Sequence, residues 1–263
     1  MLKKLLKYDL KSIFKLLNIF YIISIIVAIL TRITSIDNPS FIILIINKVL
    51  CGTVIAFVVN IIVNTIIRSW VRFRSNIYGD ESYLTHTIPV SKEKIYLSKI
   101  IASSIVMFTS MLVVFISLFI ACYSKELFDY VATSLNYISG IYNISIFGLI
   151  ITFIFVITVE LLTLLVSGIT GLLLGHKKSN NKMLLSVFFG FLTYICSQLI
   201  ILGFIYLIGL TNDGIMQIFK TNQILSVSVL KELLYLIIGM YILIILIINV
   251  INIFIFKKGI DVE

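Results

Sequence analysis

The amino-acid sequence predicts an all-α integral membrane protein with six transmembrane helices, an N-terminal amphipathic interfacial helix and a cytoplasmic helix between spans two and three. Of the 263 residues, 60% are apolar and 13% are charged, whereas about a quarter of a typical soluble domain is charged. The charged side chains cluster in short segments between long apolar runs, which is typical of membrane topology signals. The net charge of +9 is therefore interpreted as a topology signal, and we predict no nucleic-acid partner.

Six apolar runs are long enough to cross a bilayer, which takes about 20 residues. They lie near residues 16–36, 45–67, 100–123, 144–174, 184–210 and 232–256. The first run lacks a small-residue cleavage site, so it predicts a retained span rather than a signal peptide. Asn47 and Lys48 interrupt the start of the second run, which makes residues 37–46 a candidate for the outer interface.

The Lys and Arg residues predict that both termini are cytoplasmic. With the N-terminus inside, the four inner segments carry five, six, three and two of these residues, 16 in all, whereas the outer segments carry five. Short cytoplasmic loops are enriched in Lys and Arg. The excess of Lys and Arg in these four segments therefore predicts that they face the cytoplasm.

Apolar and basic side chains at the N-terminus separate onto two faces at helical spacing. The apolar face holds Leu6, Leu10, Ile13 and Leu17, and the basic face holds Lys4, Lys11 and Lys15. This pattern over residues 1–15 predicts a helix in the headgroup layer, with its lysines near anionic lipid. The alternative is a basic flank that only orients the first span.

Residues 68–99 form the longest polar segment, and the orientation places it in the cytoplasm. Gly79 predicts the end of the preceding helix, and Pro89 ends a short helix near 80–87 whose first residues are acidic. The alternative is a structural turn. Long loops are more often functional, which favours a functional segment.

Several polar side chains lie inside the predicted spans. Glu160 is near the middle of span four, where a charged side chain costs on the order of 3 kcal/mol on insertion scales. Thr163 and Ser167 share its helical face, and Asn60 and Asn64 share a face of span two. These residues either line a translocation path or are interhelical hydrogen-bond partners, with Glu160 protonated.

Span four also carries small residues at four-residue spacing. Ser167 and Gly171 form one small-xxx-small pair, and Gly171 and Gly175 form a GxxxG pair. Small residues at this spacing let two helices approach closely in a membrane. We therefore predict a close helix contact at this end of the span.

The sequence lacks the motifs of several enzyme classes. It has no G-x-x-x-x-G-K-[ST] loop for nucleotide binding and no H-E-x-x-H motif for zinc. Its three cysteines fit neither a disulfide framework nor a zinc site. We predict no catalytic residue, metal site or bound cofactor in this chain.

The order of these segments resembles the permease subunit of ATP-binding-cassette exporters, in the type-2 class that has small Firmicute members. The stretch GDESYLTHTIPVSKEKIYLSK at residues 79–99 is similar to the Tyr-Leu…Thr-Leu-Pro-Val-Ser…Lys motif of those permeases, with Ile88 where Leu is usual. The segment GLLLGHKKSNNK is similar to the family's glycine-and-lysine turn before span five. The resemblance covers the whole chain in its layout.

The resemblance implies that a separate cytoplasmic ATPase subunit, which binds ATP and Mg, docks on the short helix as a coupling helix. The residues that it assigns to this contact are Asp80, Glu81, Ser82, Tyr83, Leu84, Thr85, His86, Thr87, Pro89, Lys92 and Lys94. It also implies a second permease, either an identical copy or a sister chain. The implied activity is export of a peptide or lipid-like substrate across a bacterial plasma membrane, including antimicrobial peptide export or immunity.

Two other classes remain open. One is a sensor or assembly subunit whose long loop binds a cytoplasmic partner other than a transport ATPase. The other is an intramembrane enzyme that processes peptides or lipids, in which case Glu160 is the residue whose loss abolishes activity.

Overall fold

The computed structural model is helical, and it describes residues 2–36, 39–122, 133, 140, 146–177, 181–220 and 227–258. The helices are α1 (Leu2–Thr34), α2 (Phe41–Ile77), α3 (Ser82–Thr87), α4 (Lys92–Cys122), α5 (Ile146–Gly175), α6 (Lys182–Gly209), α7 (Asp213–Lys220) and α8 (Val227–Lys257). Six of them, all except α3 and α7, are long and apolar enough to cross a membrane. The predicted all-α fold with six spans is confirmed.

α1 is one uninterrupted helix, whereas the sequence predicts a separate interfacial segment before the first span. No glycine or proline lies within Leu2–Thr34, so no residue in it breaks the helix. Ile13 and Leu17 of the apolar face are buried, Leu6 and Leu10 are half-buried, and the three lysines of the basic face are exposed. At 1.5 Å per residue its 33 residues span about 50 Å, which exceeds the roughly 30 Å of a hydrocarbon core.

α2 begins at Phe41 and continues through Asn47 without a break. Asn47 Nδ2 donates to Thr31 O at 2.9 Å and to Thr34 Oγ1 at 3.0 Å, both on α1. Because α1 satisfies the hydrogen bonds of this amide, the helix continues through Asn47, although its position in the sequence suggests an interruption. Residues 41–46 therefore belong to α2, while residues 37 and 38 lie outside the described residues.

The chain divides into two compact units, Met1–Val131 and Ala132–Glu263. In the first, α1, α2 and α4 pack against one another in pairs. The buried core of this unit consists of Ile13, Leu17, Tyr21, Ile61, Val106 and Val114. Polar side chains within the long apolar helices add a second set of contacts.

Hydroxyl groups connect the three helices of the first unit. The Ser110 hydroxyl on α4 lies 2.6 Å from Tyr21 Oη on α1 and 2.7 Å from Thr65 Oγ1 on α2. A further bond joins α1 and α4, where Ser24 Oγ donates to Ser117 Oγ at 3.0 Å. Each such bond contributes about 0.6 kcal/mol on average in a membrane protein.

In the second unit, α5 packs closely against α6 along its glycine pair. A Cβ atom on Gly171 would lie 2.5 Å from Gly190 N, and one on Gly175 would lie 2.5 Å from Ser186 N. Real Cβ atoms do not approach backbone so closely. The predicted close contact at this GxxxG pair is confirmed, and α6 is the partner.

Candidate functional site

A short helix is present where the sequence predicts one, between the two long helices α2 and α4. α3 covers Ser82–Thr87 and begins after Glu81, two residues later than predicted. Ile88 has an extended backbone with ψ of 131°, the conformation that a following proline favours. Pro89 therefore ends α3, as predicted.

Asp9 of α1 is the centre of a buried ion-pair cluster between α1, α2 and α4. Its carboxylate accepts a 2.7 Å hydrogen bond from Lys99 Nζ, and Arg72 Nε lies 3.4 Å away. The Asp9 and Lys99 side chains are only 3% and 7% exposed. Removing one partner from such a pair leaves a buried unpaired charge, which is strongly destabilising. The cluster therefore favours one arrangement of the three helices.

Arg72 and Asn76 of α2 connect Asp9 to the residue before α3. Lys99 Nζ donates to Asn76 Oδ1, and Asn76 Nδ2 donates to the Glu81 carboxylate. Arg72 Nη1 donates to both Glu81 oxygens, at 2.9 and 3.1 Å. A continuous hydrogen-bonded path thus runs from α1 to the start of α3. We call Asp9, Arg72, Asn76, Glu81 and Lys99 the Asp9 cluster.

The exposed side of α3 carries two large side chains. Tyr83 is 76% exposed and Leu84 is 65% exposed, whereas Ser82 and Thr85 are buried. His86 lies in α3, but its side chain lies outside the described residues. Tyr83 and Leu84 are therefore two neighbouring large side chains on the exposed side of α3.

The remaining residues predicted to contact an ATPase are on the surface. They are Asp80, Glu81, Thr87, Pro89, Lys92 and Lys94. Glu81 differs from the others because Arg72 and Asn76 also bind its carboxylate. Glu81 therefore attaches α3 to the rest of its unit.

Sequence reasoning did not single out Asp9 or Asn76. The available signal was that Asp9 precedes Ile13 and Leu17 by four and eight residues, so an acidic side chain lies on the apolar face of α1. An acidic residue there indicates a buried cation nearby. The sequence does not say which cation, and the structure identifies Lys99 with Arg72.

A second polar group lies within the spans of the second unit. Glu160 of α5 is half-buried. In the same unit, Tyr241 Oη of α8 donates to Gln198 Oε1 of α6 at 3.0 Å. Sequence reasoning did not find this bond between α6 and α8.

Thr163 and Ser167 are completely buried on α5. Thr163 Oγ1 donates to the carbonyl of Val159 on its own helix at 3.0 Å. The structure thus places Thr163 and Ser167 inside the packed second unit.

Asn60 and Asn64 are on the outward side of α2. Asn64 Nδ2 donates to Asn60 O at 3.0 Å and to Asn60 Oδ1 at 2.9 Å. Asn60 is exposed and Asn64 is half-buried. These amides therefore bond to each other rather than to the core of their unit.

Within the described part of the chain, no group of three or more His, Cys, Asp or Glu side chains is placed to hold a metal ion. No family model, curated protein or solved structure matches this chain. The function is therefore argued from the Asp9 cluster, α3 and the polar residues of the spans.

Proposed function

We propose that this chain is the permease subunit of an ATP-driven exporter in a bacterial plasma membrane. In this proposal it moves a peptide or a lipid-like substrate out of the cytoplasm, as in antimicrobial peptide export or immunity. A separate ATPase subunit binds ATP and Mg and supplies the energy. The observation that carries the proposal is α3, whose exposed side chains face outward while Glu81 at its base is bonded into the Asp9 cluster.

The geometry of α3 suits the transfer of a mechanical force. A partner that binds Tyr83 and Leu84 holds α3 from outside, and Glu81 connects it to Arg72 of α2. Arg72 in turn lies beside Asp9, which is paired with Lys99 of α4. A displacement of α3 therefore acts on three membrane helices at once.

The distribution of charge supports a cytoplasmic position for α3. Both termini and residues 68–99 lie on the same side in the orientation that puts 16 basic residues inside and five outside. The spans contain few charged side chains, which fits an apolar or amphipathic cargo better than a strongly charged one. Two permeases, identical or sister chains, form the path in this proposal.

The test is a double substitution at the exposed tip of α3, Tyr83→Ser with Leu84→Ser. The permease and its ATPase, recognised by its nucleotide-binding loop, are co-expressed in the host membrane and purified together. We expect the variant to insert normally but to lose co-purification of the ATPase and the stimulation of ATP hydrolysis. Tyr8→Ser is the matched control, because Tyr8 is a 67% exposed aromatic on α1. Unchanged binding and stimulation in the double variant would contradict the proposal.

The same exposed side chains also suit a sensor or assembly subunit that docks a different cytoplasmic protein. A photo-cross-linking residue at Leu84 separates the two functions, since it links to whatever covers α3 in the native host. A linked protein with a transport-ATPase nucleotide site supports the exporter. A linked kinase or regulator supports the sensor.

A further inference from the structure

The outward face of α2 carries a pattern that the core of the first unit does not use. Gly52, Ala56, Val59, Asn60 and Val63 lie along one side of the helix and are all exposed. Apart from its chain neighbours and the adjacent backbone of α2, no described atom lies within 4 Å of a Cβ built on Gly52. This set, which we call the α2 face, is therefore open along at least three helical turns.

The opposite side of α2 is already occupied. Val54, Ile61 and Thr65 are buried there, and α2 packs with α1 and α4. The α2 face is consequently a second surface of the same helix, free of the packing that holds the unit together.

The spacing along the α2 face is the one that membrane helices use to associate. Gly52 and Ala56 form a small-xxx-small pair, and Asn60 and Asn64 continue the same row at intervals of four residues. Small residues let two backbones approach, and amide side chains form hydrogen bonds across the contact. Gly52 and Ala56 therefore allow a second helix to approach closely, and Asn60 and Asn64 supply polar groups for hydrogen bonds to it.

The asparagine pair indicates what kind of surface covers this face. An amide side chain has two donors and one acceptor oxygen, and the bonds among the described residues use only a donor of Asn64 and the Oδ1 of Asn60. Asn60 lies about 6 Å along the axis from the middle of the predicted span. Lipid tails offer no hydrogen bond at that depth. A partner with both a donor and an acceptor amide satisfies the remaining groups.

We propose that the α2 face is the surface on which a second copy of this chain packs. Each copy offers an unused Asn60 donor and an unused Asn64 acceptor, so the face is complementary to itself. Copies that insert in the same direction are related by a two-fold axis along the membrane normal, which brings the same face of each together. The need for two copies rests on the proposed function, whereas the choice of surface rests on α2 alone.

The first test is disulfide cross-linking in native membranes. Cys51, Cys122 and Cys196, which are exposed, are replaced by Ser, and Val59→Cys is introduced as the only thiol. We expect oxidation to produce a covalent dimer. Leu112→Cys on α4 is the matched control, because Leu112 is 56% exposed and Val59 is 55% exposed. Cross-linking from neither position, or equal cross-linking from both, overturns the proposal. The proposal is also overturned if the chain remains monomeric because lipid or its own second half covers the α2 face.

The second test replaces the two small residues of the α2 face with large ones. Gly52→Ile with Ala56→Ile is expected to reduce the dimeric fraction in nanodiscs at least about tenfold, since close approach of the backbones is blocked. Gly203→Ile on α6 is the control, because a Cβ on Gly203 also meets nothing described within 4 Å. Dimers that persist at wild-type levels in the double variant contradict the assignment.

ATP hydrolysis measured in the same preparations separates this inference from the proposed function. Cross-linking at position 59 without stimulation of ATP hydrolysis supports the α2 face as the dimer surface and contradicts the exporter function. Stimulation of ATP hydrolysis by dimers that do not cross-link at position 59 supports the exporter function and contradicts the α2 face as the dimer surface.

Discussion

Lys99 of α4 donates a 2.7 Å hydrogen bond to the carboxylate of Asp9 on α1, and both side chains are almost completely buried. Arg72 and Glu81 add one cation and one anion to the same cluster, so its four charges balance. A neutral, hydrogen-bonded set of charges tolerates burial far better than an isolated ion. This balance explains how a membrane helix carries Asp9 on its apolar face.

Substitution of either partner of the buried pair is expected to destabilise the protein strongly. Asp9→Leu leaves Lys99 buried next to Arg72 without its carboxylate, and Lys99→Met leaves Asp9 with only the more distant Arg72. Breaking a buried pair in this way costs roughly 3–5 kcal/mol. The measurement is the unfolding midpoint of the purified protein in detergent.

The double variant Asp9→Leu with Lys99→Met is the control for that experiment. It removes both charges together, so we expect it to recover much of the stability lost by either single variant. Strictly additive losses would contradict a direct pairing of these two side chains.

Glu81→Gln is expected to weaken coupling without unfolding the protein. Glu81 is 47% exposed in its pair with Arg72, and solvent screening limits the contribution of such a pair to about 1 kcal/mol or less. Loss of the charge nevertheless weakens the attachment of α3 to α2, because a neutral amide oxygen accepts a weaker hydrogen bond than a carboxylate. We expect a near-normal unfolding midpoint together with reduced stimulation of ATP hydrolysis.

Asp80→Asn is the matched control for Glu81→Gln, because Asp80 is the adjacent acidic residue and is exposed. It should leave both stability and ATP hydrolysis close to wild type. An equal effect of the two substitutions would show that acidic charge near α3 matters rather than the bond to Arg72.

The glycines of the second unit predict a graded series. Gly171→Ala places a Cβ 2.5 Å from Gly190 N and Gly190→Ala places one 3.3 Å from Gly168 Cα, whereas Gly203→Ala meets nothing described within 4 Å. Overpacking costs typically 1–3 kcal/mol. We expect the largest loss of stability at Gly171, a smaller one at Gly190 and almost none at Gly203, measured by thermal unfolding.

Glu160→Gln distinguishes a permease from an intramembrane enzyme. The substitution replaces the carboxyl group with an amide of nearly the same size, which cannot act as an acid or a base at that position. A permease retains partial transport, since Glu160 then only shapes the interior, whereas an enzyme that uses the carboxyl loses all turnover. Turnover of a peptide or lipid substrate and its export from cells or vesicles are both measured, and complete loss of turnover with intact folding would favour the enzyme.

The six spans and the contact at Gly171 were predictable because each depends on one segment. A helix in lipid satisfies its own backbone hydrogen bonds, so the length of an apolar run is enough to identify it. The glycine pair is likewise a pattern within one helix, and any neighbouring helix can use it. Neither prediction required knowledge of which helices are neighbours.

The Asp9 cluster and the continuity of α2 at Asn47 were not predictable in this way. Asn47 resembles an interruption in its own segment, and its partners Thr31 and Thr34 lie on α1. Asp9 and Lys99 are 90 residues apart. Such pairings depend on the arrangement of the helices, which local spacing does not specify.

The separation of Asp9 and Lys99 along the chain also sets an order of events during synthesis. Asp9 leaves the ribosome 90 residues before Lys99, which corresponds to about 5–20 s at typical elongation rates. During that interval the first helix has been made, but the lysine that binds its buried carboxylate has not. The complete Asp9 cluster therefore forms only after the third long helix has begun to be synthesised.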